Sequence, residues 1–105
     1  MNTQTAILDK VRSLMPAIMP EGAKLSLFGS QARGDATAES DWDFLLLLDK
    51  PKVEYEDYGN YAYPLVRLGW DLGHFFSVKM YASSDWQSRK GTPFYINVER
   101  DKITL

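Results

Sequence analysis

A chain of 105 residues, 45% hydrophobic and 25% charged, has the size of one compact domain with a modest core, so residues 1–105 are expected to form a single domain with no separate substrate domain. The formal net charge of −2 and a pI near 5.3 argue against nucleic acid as the main partner, because domains that hold a phosphate backbone carry a basic face. The absence of cysteine excludes disulfides and thiolate metal sites; no apolar run reaches the roughly 18 residues that span a bilayer, and the polar start Met1-Asn2-Thr3-Gln4 is no signal peptide, so a cytoplasmic protein without a membrane partner is expected.

Thr3 or Thr5 is placed to cap a first helix, in which Ile7, Val11, Leu14 and Ile18 recur at helical spacing and make one apolar face. Pro16 inside that pattern predicts a kink or an early stop, and Pro20-Glu21-Gly22 ends the helix. A strand follows over residues 24–28, then a sharp turn at Gly29-Ser30 and a short helix to Ala32 or Arg33. Residues 35–39 form a polar loop. The strand over residues 41–48 loses its alternation after Asp43; Phe44-Leu45-Leu46-Leu47-Leu48 reads as a strand buried on both faces, hence central in its sheet.

Over residues 53–72, Tyr58, Tyr61, Leu65, Leu68 and Leu72 are separated by gaps of three and four, which predicts a long amphipathic helix. Pro64 interrupts it at a cost of about 3 kcal/mol or more, so a kink over residues 60–64 is expected. Tyr55, Tyr58, Tyr61 and Tyr63 are too many for one buried face; they lie along the surface as amphipathic side chains or form an aromatic partner interface.

After Gly73, residues 74–81 read as a strand with Phe76, Val78 and Met80 on one face and Phe75, Ser77, Lys79 and Tyr81 on the other. His74, the one histidine, reads as a surface residue at the strand's start. Ser83-Ser84-Asp85 is expected to cap a helical turn containing Trp86, and Thr92-Pro93 to open a short helix with Phe94, Tyr95, Ile96 and Val98. Residues 102–105 finish as a small edge strand, and Phe94 and the tryptophans are expected to be packing residues. This order predicts a mixed α/β sheet with helices packed chiefly on one face.

The chemistry lies between the first two strands. Gly29 permits backbone angles closed to other residues, so the chain can turn sharply and let a phosphate approach its amides. Ser30 adds a hydroxyl, and a helix opening at residues 30–33 would point its unpaired N–H groups at the same anion. Asp41 and Asp43 are two apart, so in a strand both carboxylates project from one side. Their like charges resist joint ionisation unless a cation sits between them, and Mg²⁺ or Mn²⁺ suits carboxylate oxygens shared with substrate phosphates. Either half alone reads as an ordinary turn or a solvated strand edge; the conjunction points to a phosphate-handling turn facing a two-carboxylate metal site. Gly29 and Gly34 have the P-loop spacing, but Asp35 and Ala36 stand where that motif needs Lys and Ser or Thr. Arg33 either neutralises phosphate charge or forms a salt bridge with Asp35 or Glu39.

The run G-S-Q-A-R-G-D-A-T-A-E-S-D-W-D-F-L-L resembles the signature of the minimal nucleotidyltransferases of the DNA polymerase beta superfamily, a group often encoded beside HEPN-domain proteins. The motif is specific over residues 27–47 and the resemblance extends to most of the chain in architecture. It implies an α/β (α+β) nucleotidyltransferase fold with a small mixed sheet. It implies that Gly29 and Ser30 hold the triphosphate, with Arg33 as a further nucleotide contact, and that Asp41 and Asp43 are the catalytic, Mg²⁺-binding carboxylates. The implied reaction moves a nucleoside monophosphate from an NTP, ATP being expected, to a hydroxyl. The resemblance implies as one acceptor a tyrosine of an adjacent HEPN-type protein, which would make this chain an antitoxin; other members modify small molecules.

The family also places a third carboxylate on the strand after the long helix. Here that position falls on Phe75, or on Ser77 in a shifted register, and Asp71, Asp85 and Glu39 are the substitutes at hand. A second reading is therefore a nucleotidyltransferase fold that binds a nucleotide or a partner without turnover. So small a domain has little surface for enclosing an acceptor, so a HEPN-type protein or another copy of the chain is expected to supply it.

Overall fold

The computed structural model describes residues 3–105, and its frame is a four-stranded sheet in the order β3-β2-β1-β4. The strands are β1 (Lys24–Phe28), β2 (Trp42–Leu48), β3 (Phe76–Ala82) and β4 (Ile103–Thr104). β2 pairs antiparallel with β1 and parallel with β3, so the sheet is mixed. Its apolar run needs cover on both faces and a neighbour on both edges, and it has them, being buried from Phe44 to Leu48. β4 pairs with the outer edge of β1, and β3 forms the opposite edge.

The helices are α1 (Thr3–Ile18), α2 (Gly29–Arg33), α3 (Tyr55–Asp57), α4 (Tyr63–Asp71), α5 (Ser83–Ser88) and α6 (Pro93–Asp101). Strand alternation sorts the core. Leu25, Leu27, Trp42, Phe44, Leu46 and Phe76 meet Ile7, Leu8 and Val11 of α1 and Leu65 of α4. Phe28, Leu45 and Leu47 point the other way and meet Trp86 of α5 and Val98 of α6. The long helical segments thus share one face, and the shorter α5 and α6 cover part of the other. Gly69 lets α4 lie close against β3, since a Cβ there would stand 2.7 Å from Phe76 Cγ.

Several local expectations are corrected. α1 runs through Pro16 to Ile18 without an early stop, because a missing N–H in the last turn forfeits a single bond where the helix is ending anyway. Thr3 and Thr5 lie inside α1 rather than ahead of it. In the segment 55–71 the irregularity is a π-helical turn over Tyr58–Ala62, which leaves Pro64 in the first turn of α4, where its missing donor is tolerated. Ser83 and Ser84 do not cap α5: Ala82 holds the N-cap position, with no side-chain bond. Thr92 does cap α6, accepting the Tyr95 N–H at 3.2 Å. Trp42 and Trp86 are buried, but Trp70 is 55% exposed, because it follows the buried Gly69 and one residue's rotation carries it off the packed face. Among the described residues no helix is long and apolar enough to cross a membrane.

Asp57, buried at the start of this helical segment, accepts the Glu54 N–H at 2.6 Å and the Lys50 ammonium at 2.8 Å. The Lys50 bond, then the Glu54 N–H, hold its carboxyl below the usual range. A depressed folded value means that the stabilisation is present above the unfolded carboxyl range and is lost as pH falls through the folded value. Asp57→Asn is therefore expected to lower the melting midpoint at neutral pH and to narrow its gap from wild type as the pH is taken down. A gap that stays constant from neutral to strongly acid pH would contradict this.

Candidate active site

β1 ends in Phe28, and Gly29 turns the chain directly into α2 at a φ of +76°, in the left-handed region that favours glycine. Phe28 is the antiparallel partner of Asp43, so the register carries the Asp43 carboxylate to the turn. A Cβ on Gly29 would stand 2.5 Å from Asp43 Oδ2. Glycine is thus required here both by its backbone angle and by the carboxylate that occupies the space of its side chain. The Gly34 and Asp35 N–H groups close α2 by donating to the Ser30 carbonyl, while the amides of its first turn have no partner within the helix.

Asp41 precedes β2 and is exposed, and Asp43 is half-buried. The Asp43 carboxyl is raised above its ordinary value by burial first and by the charge of Asp41 second, with Lys79 and Arg33 acting in the opposite direction. The like-charge effect read from the spacing is present, but desolvation is the larger cause. Arg33 bonds Asp35 at 3.2 Å and Asp101 of α6 at 3.4 Å. Of the two partners suggested by proximity in sequence, Asp35 is used and Glu39 is not; the second anchor is Asp101.

The parallel register pairs Ser77 with Asp43. Ser77, rather than Phe75, therefore stands beside the catalytic candidate, and Phe75 lies before β3 with its carbonyl accepting the Trp42 N–H at 2.9 Å. Asp85 is committed to Arg89 at 3.4 Å, and Glu39 sits in a loop where its N–H donates to Thr37 Oγ1. Among the described residues no three His, Asp or Glu side chains converge on a common point. His74 packs its ring edge-on against Trp42, 5.6 Å between centroids, which fits a packing role.

Beside Gly29 opens a cleft of about 170 Å³ lined by Phe28, Gly29, Arg33, Phe94, Asn97 and Asp101. Asn97 and Asp101 were not singled out from the sequence. Their signal is the spacing of Phe94, Asn97 and Asp101 by three and four, which puts them on one side of α6. Phe94 borders this cleft, 39% exposed, with its ring edge-on to Phe28 and Trp86 at 5.8 Å from each.

The Asp43 carboxylate beside the Gly29 recess and the Asp41 charge that acts on it are of the chemistry that suits a hard divalent ion, whose other positions phosphate oxygens and water would fill. Among the described residues no third acid joins this pair.

Among curated proteins none matches the chain. Among solved structures the fold is similar to a crystal structure of a toxin-antitoxin with AMP-PNP, with a TM-score of 0.62 and 16% identity over 91% of this chain and 69% of that one. Residues 6–91 match the model of the nucleotidyltransferase domain, a span that takes in the Gly29 turn, the aspartate strand and all of β3. With that span covering most of its length, the chain belongs to the nucleotidyltransferase domain family.

Proposed function

We propose that this chain transfers a nucleoside monophosphate from an NTP, ATP being the expected donor, to a hydroxyl, with pyrophosphate as the leaving group. The observation that carries the reading is the seating of the Asp43 carboxylate against Gly29, which joins the two halves of the motif in one place. Gly29 and Ser30 would hold the β and γ phosphates, and Asp41 and Asp43 would hold Mg²⁺ or Mn²⁺. The ion supplies charge neutralisation at the bridging and leaving oxygens. Arg33 fixes α2 to α6 through Asp101 and so sets one wall of the cleft.

Ser77 at the position beside Asp43 favours a slow enzyme. A serine holds no metal as a carboxylate does, and positioned general-base assistance contributes about 10²–10⁴-fold, so nucleotide binding is expected to survive while transfer is slowed by that order. At the limit this is the second reading, a module that binds without turnover.

A partner protein fits the surface. Tyr58, Tyr63, Trp70 and Phe75 are exposed and line a groove along the β3 edge that reaches Ser77, the residue paired with Asp43. The toxin-antitoxin neighbour supports a partner protein, and the family resemblance makes a tyrosine of a HEPN-type protein the first candidate acceptor.

The test is incubation with Mg²⁺, the protein encoded beside this one, and ATP labelled at the α or the γ phosphate. Label from the α position is expected on the acceptor, faster with Ser77→Asp. Transfer of γ label would overturn the reaction class, and metal-dependent binding without any transfer would leave the binding module.

A further inference from the structure

We propose that Lys79 serves this site as its second cation: the chain binds its nucleotide with one divalent ion, and the Lys79 ammonium meets phosphate charge that a second ion would otherwise neutralise. The inference rests on the reading of Asp41 and Asp43 as a nucleotide-bound metal site.

The register places the lysine. Asp43 pairs with Ser77 and Leu45 with Lys79 in the parallel ladder, so Ser77 and Lys79 rise on the side of the sheet that carries Asp43. Two residues along a strand span about 7 Å, a gap that the four-carbon lysine stem can bridge. Lys79 is exposed; its charge acts on Asp43, and none of the ion pairs among the described residues includes it. The other cation near Asp43, Arg33, is already engaged by Asp35 and Asp101. Lys79 is therefore the uncommitted positive charge beside the paired aspartates.

The donor count gives this charge a purpose. A two-ion clamp on a transferred phosphoryl group needs protein ligands for both ions, and no third acid converges on this pair among the described residues. Two carboxylates with one divalent ion and one ammonium present the same net charge to the phosphates as three carboxylates with two divalent ions. The lysine thus restores the electrostatic balance of a two-ion site without the second ion.

A lysine on an edge strand such as β3 also discourages pairing with other chains, a role that makes no demand on phosphate, and the experiment separates the two. Mn²⁺ is titrated by electron paramagnetic resonance into wild type saturated with a non-hydrolysable ATP analogue. One bound ion per chain is expected, and two would overturn the proposal. Lys79→Gln should weaken binding of the analogue by about tenfold or more, the scale of a lost bond to a charged group, without lowering the melting midpoint, and Lys79→Arg should restore most of it. Unchanged affinity in Lys79→Gln would overturn the role of the lysine. If Asp43→Asn still abolished binding in that case, the underlying site would stand without it; if neither variant changed affinity, the site reading itself would fail.

Discussion

Asp43→Asn is expected to abolish Mg²⁺-dependent binding of ATP while leaving the ligand-free protein as stable as wild type or slightly more so. The Asp43 carboxyl is raised by its burial and by Asp41, so its ionisation opposes folding once the pH passes the ordinary carboxyl range, and the neutral amide removes that opposition. The same change takes away half of the proposed metal donors. The loss should exceed the roughly 10–100-fold that removal of an outer-shell partner costs a metal site. Asp41→Asn should lose binding in the same way with little effect on stability, because Asp41 is exposed. Calorimetry with ATP and Mg²⁺, together with melting curves, checks both. Unchanged affinity in the two variants would remove the site assignment.

Gly29→Val should damage nucleotide binding more than Ser30→Ala. A valine must adopt the +76° φ, which a β-branched residue scarcely tolerates, and its Cβ meets Asp43 Oδ2 at 2.5 Å. The turn and the carboxylate are displaced together. Ser30→Ala removes one hydroxyl, a bond to a charged acceptor worth about 1.5–3 kcal/mol, which is a loss of roughly ten- to a hundredfold. Gly29→Ala makes the milder version of the first experiment, and melting curves on each variant separate lost binding from lost fold. Ser30→Ala doing more harm than either glycine variant would contradict a phosphate cradle built on Gly29.

What could be read before any coordinates was local in origin. β1 occupies residues 24–28 as its apolar run implies, the leucine run of β2 is buried throughout, and Thr92 caps α6, because each depends on neighbours within a few residues. The face pattern of β3 was also legible, with Phe76, Val78 and Met80 on the larger core. Its register was not. Phe75 and Ser77 share a face, and only pairing against β2 selects Ser77 as the neighbour of Asp43. Arg33 shows the same limit: Asp35 is two positions away and legible as a partner, but Asp101 lies 68 positions away and arrives through packing of α6 on α2. The cleft wall of Asn97 and Asp101 was hidden for that reason. The π-helical turn at Tyr58–Ala62 overlaps the proline kink expected over residues 60–64 but begins two residues earlier, and propensity alone does not specify its form.

The most direct test of the account is where ATP and a divalent ion touch the protein, read from backbone amide shifts in a nuclear magnetic resonance titration of the labelled chain. With a non-hydrolysable ATP analogue and Mg²⁺, the largest shifts should fall on Gly29, Ser30, Asp43 and Ser77, and Mn²⁺ in place of Mg²⁺ should broaden the Asp41 to Asp43 amides first. Shifts of equal size without a divalent ion, or shifts centred on the groove of Tyr58, Trp70 and Phe75 with Gly29 and Asp43 unmoved, would contradict it.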